Sequence, residues 1–171
     1  MDFTVSSDRA SILITMGTII LLAILAIWHV RTRKKYKGKF LFRLRAFFLL
    51  ILFSIIGYCY LVRPLKYNVT YDRLTIKRLW SDIQIPNHMI LDCRQVPASE
   101  MAGTVRIFGI GGLFGYFGNY RNNAVGKMKF YGTRFSNFVL IHTLRGESII
   151  LTPDKPKEMV DEIMSDITIN N

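Results

Sequence analysis

Cysteine is scarce in this chain of 171 residues, with only Cys59 and Cys93 present. The first lies inside a long apolar run and the second in a later, more polar part. A disulfide between them is not expected, and no cysteine-based metal site is suggested. Histidine is equally sparse. His29, His88 and His142 are far apart and show no H-x-x-x-H spacing, the pattern that would put two ligands on one helix face. No G-x-S-x-G nucleophile elbow, zincin motif or paired-carboxylate pattern occurs. The sequence thus carries no sign of a catalytic constellation, and no cofactor is expected. Internal repeats and low-complexity segments are also missing.

Acidic residues are few as well, 12 against 23 basic ones, for a net charge of +11. That excess sits beside a hydrophobic content of 50%, a combination foreign to ordinary soluble basic proteins. The distribution explains it. Arg31, Arg33, Lys34, Lys35, Lys37, Lys39, Arg43 and Arg45 fall within 15 residues that contain no acid. Nucleic-acid binding calls for a basic face on a folded module, so it is not expected here. Charge packed against apolar segments fits a membrane surface instead.

Those segments are long. From Ser11 to Val30 there are 20 residues without a charge, enough at about 1.5 Å per residue to cross a hydrocarbon core of about 30 Å. The positive charge follows this run, and no small-residue cleavage pattern does, so a cleaved signal peptide is not expected. Ala46 to Val62 is a second apolar run, extended by Phe40, Leu41, Phe42 and Leu44 while Arg43 and Arg45 snorkel toward headgroups. Tyr58 and Tyr60 mark an interface, and Pro64 ends the helix. Residues 1–66 thus read as a membrane anchor, with helices over about 11–30 and 44–62 and a basic turn over 31–43.

From Tyr67 the apolar residues recur every second position. Leu74 and Ile76 alternate with Thr75 and Lys77, Ile83 and Ile85 with Asp82 and Gln84, Met128 and Phe130 with Lys127 and Lys129. Asn137 to Leu144 and Ser148 to Thr152 are further strands, split by a turn at Arg145-Gly146-Glu147. Short strands between turn signals predict an antiparallel sandwich or barrel of about seven strands. After Pro153 the period becomes helical, with Met159, Val160, Ile163, Met164 and Ile167 on one face. Asp154 is the expected cap of this helix, over about 154–168. Residues 67–171 thus read as one β domain closed by a terminal helix.

The most distinctive stretch is Gly109-Ile-Gly-Gly-Leu-Phe-Gly-Tyr-Phe-Gly118. A phosphate-binding glycine loop leads into a helix, whereas this one leads into Tyr120-Arg121-Asn122-Asn123, a turn composition. The glycines read better as positions needing positive φ or close backbone approach. Phe114, Tyr116, Phe117 and Tyr120 then either fold back on the edge of the sandwich or, as large and rigid contact area, form the expected partner-binding surface.

Together, two apolar spans followed by Leu74-Thr-Ile-Lys-Arg78, Asp82-Ile-Gln-Ile-Pro86, Arg106 to Gly118, Lys129-Phe-Tyr-Gly-Thr-Arg134 and Ile149-Ile-Leu-Thr-Pro-Asp154 resemble the bacterial pleckstrin-homology-like (PH-like) domain membrane proteins. The resemblance covers about residues 67–169, and Gly-Gly-Leu-Phe-Gly-Tyr is its most specific part. It implies two packed antiparallel sheets capped by one C-terminal helix, and no enzymatic activity. Relatives that bind phosphoinositides carry several basic residues across the first hairpin loop. Here that loop is Asp72-Arg73, with Lys77 and Arg78 in the strand after it, so phosphoinositide binding is not expected.

The expected function is a non-enzymatic binding or scaffolding domain of the bacterial envelope. It is expected in the inner membrane, crossing it twice, in contact with the bilayer and with a protein or peptide partner, for which a second copy of the chain is one candidate. The alternative is a membrane enzyme or transporter, or a subunit of one, acting on lipid or cell-wall precursors. Basic residues of short loops stay cytoplasmic, so the turn over 31–43 places the β domain outside the cytoplasm.

Overall fold

The computed structural model describes residues 1–32 and 39–170. Its two long helices are α1 (Arg9–Thr32) and α2 (Lys39–Leu61). Asp8 caps α1, its carboxylate accepting the Ser11 backbone N–H at 2.7 Å, which satisfies one of the four amides left over at a helix start. The ring of Pro64 cannot continue a helix, and β2 (Pro64–Val69) begins there. Both helices are long and apolar enough to cross a membrane, and few of their residues are buried. Leucine, isoleucine and phenylalanine lie exposed along their whole length.

The expected helix limits shift at the basic turn. Lys39 and Arg43 belong to α2 rather than to a turn ending at residue 43, because Phe40, Leu41 and Phe42 carry the apolar helix back toward it. Arg45 stacks over the Trp28 ring at 4.9 Å, and His29 stacks on Phe42 with centroids 4.2 Å apart. Arg31 ends α1. Arg33, Lys34, Lys35 and Lys37 lie outside the described residues.

Among the described residues ten strands form two sheets. The first has four strands in the order β1 (Asp2–Thr4), β2, β3 (Arg73–Arg78), β4 (Ile83–Pro86). After one turn of 3-10 helix over 87–89 come β5 (Ile90–Val96), β6 (Val105–Gly111), β7 (Tyr116–Asn122), β8 (Gly126–Gly132), β9 (Phe138–Thr143) and β10 (Ser148–Leu151). They pair in the order β5-β9-β10-β8-β7-β6. This is the expected sandwich closed by a terminal helix, α3 (Pro156–Asn170), with three corrections.

First, the strands number ten rather than about seven. β1 is three residues long and exists only by pairing with β2, Phe3 opposite Tyr67. β7 has a turn-like composition that the ladder overrides. Second, β10 pairs in parallel with β8, Ile150 opposite Phe130, since the β9–β10 hairpin folds back beside β8. Third, Asp154 does not cap α3. Its carboxylate accepts from Thr4 Oγ1 at 2.7 Å and from the Ser6 backbone and hydroxyl at 3.1 and 2.9 Å, and it pairs with Arg134.

The core sits between the sheets. Tyr67, Val69, Leu74 and Ile76 of the first sheet meet Val139, Ile141 and Leu151 of the second, and Met159 and Ile163 of α3 close the end. The other face of the six-stranded sheet buries Met101, Tyr120, Met128, Phe130, Phe138 and Leu140.

Candidate functional site

Both long helices meet the β domain at the same end of the pair, through different chemistry. At the exit of α2, Cys59 and Val62 pack against Phe117, all three buried. At the entrance of α1 the contacts are polar. Asp8 accepts from the Tyr116 hydroxyl at 3.3 Å and from the Phe135 backbone at 3.1 Å, and Ser6 O accepts from Thr133 Oγ1 at 2.7 Å. Burial works against the charge on Asp154, but hydrogen bonds from Thr4 and Ser6 and the Arg134 guanidinium outweigh it and hold this carboxyl below its ordinary value.

The glycine-rich stretch is a hairpin made by β6 and β7, and Gly109 faces Gly118 across it. Their φ angles are 126° and 127°, and a Cβ on either would fall 2.3 Å from a backbone oxygen of the opposite strand. Only glycine allows this approach. The tip reaches under the helices, where the Phe114 N–H donates to Thr15 Oγ1 at 2.9 Å and Gly112 lies against Ile14. The next residues continue as β7 and no helix follows, so the amides do not form a phosphate cradle at a helix start.

The four aromatics of the hairpin have separate places. Phe117 sits under α2 and is 6% exposed. Tyr120 is 4% exposed on the opposite face of the sheet, and its hydroxyl donates to the Ile110 carbonyl at 2.5 Å. Burial pushes that hydroxyl up to about 12. Tyr116 is half-buried against Phe130 and Phe135, and Phe114 is half-buried edge-on to Tyr60 with centroids 5.4 Å apart. Alternation along β7 sends Phe117 and Tyr120 to opposite faces, so these rings are not one contact surface. Phe117 and Tyr120 contribute packing rather than exposed area, which corrects their place in the expected site.

What the hairpin does present is its outer strand. β6 is the last strand of the six-stranded sheet, with Val105, Ile107 and Phe108 exposed by 65%, 57% and 78%. Between β6–β7 and α2 lies a cavity of about 490 Å³, lined by Ile55, Cys59, Val62, Phe108, Ile110 and Phe117. Arg78 and Arg106 also line it. In the sequence Arg78 follows a hairpin loop too poor in basic residues for a phosphoinositide, and the one signal of Arg106 is a charge in the apolar run Val-Arg-Ile-Phe; its guanidinium turns toward Gly111 and the Tyr120 hydroxyl. A second cavity, of about 430 Å³, includes Lys127, Lys129 and Glu147, but Glu147 already neutralises Lys129 at 2.6 Å.

Cys93 is buried in the core, where desolvation pushes its thiol up to about 12, far from the thiolate form that reacts. Among the described residues no three His, Cys, Asp or Glu side chains are grouped to hold a metal ion.

Two packed sheets with a helix closing one end define the class of fold. The chain belongs to the family described as the bacterial PH domain, whose model matches residues 65–167. PH domains are generally non-catalytic. Comparisons with curated proteins and with solved structures found no match.

Proposed function

We propose that this protein is a membrane-anchored, non-enzymatic binding module of the bacterial envelope that engages a protein partner through the edge of β6. Membrane anchoring is supported by the exposure of both apolar helices. A core helix of a soluble protein buries its apolar side chains, whereas these have only a bilayer to cover them. The basic residues between the helices put that turn in the cytoplasm and the β domain outside. A C-terminal reporter fusion active only in the cytoplasm would reverse that orientation.

The observation that carries the binding role is the edge itself. Natural sheets protect an outer strand with charge, proline or a covering element, because its free amides and carbonyls template pairing with another chain. β6 offers Val105 and Ile107 to solvent beside such an edge. Addition of an extended partner segment there uses main-chain bonds for affinity and alternate side chains for specificity. The test places a photoreactive residue at Val105 in native membranes and compares capture with an Ile107→Lys variant. Specific capture that is lost in the variant at an unchanged melting temperature is expected. Equal capture by both would remove β6 as the partner site.

A further inference from the structure

We infer that the turn between β3 and β4 is a membrane contact in its own right, in which Leu79 and Trp80 enter the bilayer where headgroups meet acyl chains, beside the C-terminal end of α2. This rests on the membrane-anchored part of the proposed function. It is independent of the protein partner at β6 and of the side of the membrane on which the domain lies.

Composition comes first. Turns in water favour glycine, asparagine, aspartate and serine, as Asn122-Asn123 and Arg145-Gly146-Glu147 do between other strands of the domain. The β3–β4 turn opens on Leu79-Trp80 before Ser81 and Asp82. Leu79 is 49% exposed and Trp80 70%. Two large apolar neighbours at the tip of a short turn gain nothing from water and have a place only against an apolar medium.

Depth comes second. The Trp80 N–H donates to the Leu61 carbonyl at 3.1 Å, and Arg78 lies opposite Pro64 in the β2–β3 ladder. The turn is therefore level with the last residue of α2. No charged residue occurs between Arg45 and Arg63, and as helix this stretch covers about 26 Å of a hydrocarbon core of about 30 Å. The core thus reaches the end of α2, and a side chain tied to Leu61 meets its boundary. Tyr58 and Tyr60, exposed in the last turn of α2, mark the same layer, where tryptophan and tyrosine collect. Helix α1 gives a second measure of depth. Its uncharged run begins after Arg9, and the β6–β7 tip touches Ile14 and Thr15, about 8 Å further along the axis. This end of the domain therefore lies within the interfacial layer rather than above it.

Shape comes third. The polar groups of the turn satisfy one another. Asp82 pairs with Lys77 at 2.6 Å and accepts the Arg78 backbone N–H at 3.0 Å. Arg78 donates from Nε to the Ser81 carbonyl at 2.6 Å and from Nη2 to Ser81 Oγ at 3.3 Å. Leu79 and Trp80 are thus presented by a turn already fixed in shape, so little ordering remains to oppose insertion. Lys77 and Arg78 follow behind the tip, at the height of the headgroups, where long basic side chains are well placed.

The chain has two tryptophans, Trp28 and Trp80, so Trp28→Phe leaves Trp80 as the sole indole. The test places this full-length variant in phosphatidylcholine nanodiscs whose acyl chains are plain, brominated near the glycerol end or brominated near the methyl end. Trp80 emission is expected to be blue-shifted, quenched most by bromine near the glycerol end and protected from acrylamide. Adding Leu79→Glu should shift the emission to the red and restore acrylamide quenching at an unchanged melting temperature. If Leu79→Glu lowers that temperature, the bromine pattern of Trp28→Phe alone decides. Acrylamide quenching without a bromine effect would place the turn in water and overturn the inference. Protection from acrylamide without a bromine effect would mean that protein covers the turn, and would overturn it equally. Alkaline carbonate separates the two levels of the argument. A chain that it extracts from native membranes loses the anchoring and the contact together, whereas a chain that stays while Trp80 is open to acrylamide loses the contact alone.

Discussion

The two places where the β domain holds the long helices are built in opposite ways. The exit of α2 is an apolar seat, with Cys59 and Val62 against Phe117 and a direct chain connection into β2. The entrance of α1 is a polar latch, in which Thr4, Ser6 and Asp8 reach Asp154, Arg134, Thr133 and the Tyr116 hydroxyl across the chain. Packing tolerates no loss of volume but is indifferent to pH. Hydrogen bonds to a carboxylate tolerate small shifts of position and depend on its ionisation. The same domain thus grips one helix through shape and the other through charge.

Removing the seat should have the largest effect. Phe117→Ala empties a buried site and should cost about 3–5 kcal/mol of stability, read from denaturant unfolding in detergent. A melting transition unchanged from wild type would mean that α2 does not rest on this ring.

Breaking the latch should cost less. Asp154→Asn retains the shape but weakens bonds to four donors, an expected loss of about 1.5–3 kcal/mol. Faster hydrogen exchange confined to residues 2–8 and their partners would place the loss at the tail. The carboxyl of Asp154 titrates below its ordinary value of 3.8. Its contribution is therefore complete above that value and disappears as pH falls through the lowered one. Acid should release the tail while leaving the seat of α2 in place, and the Asn variant should lack this acid step.

A smaller change is expected from Asp8→Ala, which removes the cap of α1 and should cost about 0.5–2 kcal/mol. The smallest is expected from Lys66→Ala. Its bond to Asp2 at 2.7 Å joins two half-exposed side chains, and exposed pairs contribute little. No measurable shift of the melting temperature is expected there, and a large one would show that β1 depends on this pair.

Legibility in the sequence followed the range of the interactions. Leu74 with Ile76, Ile83 with Ile85 and Met128 with Phe130 announced their strands because alternation is written within a few residues. β7 stayed hidden because Gly118, Asn119 and Asn122 are poor strand formers, held extended only by β6 and β8 on either side. The glycines mark the hairpin as unusual, but which way each aromatic points depends on register. Register put Phe117 under α2 and Tyr120 in the opposite core.

By itself the sequence determined two helices of membrane length, a basic turn between them, a β domain after them and a helix to close it. Each of these rests on local periodicity, length or charge, which need no distant partner to be expressed. Only the tertiary structure made the first residues a strand of the domain, since β1 exists through pairing with β2. It turned Asp154 from a helix cap into a clasp for the tail, because Thr4 and Ser6 came within reach. It also laid Phe117 and Ile110 against Cys59 and Val62 around one apolar cavity beside α2. That placement comes from the packing of two sheets against a helix end, and no spacing along the chain encodes it.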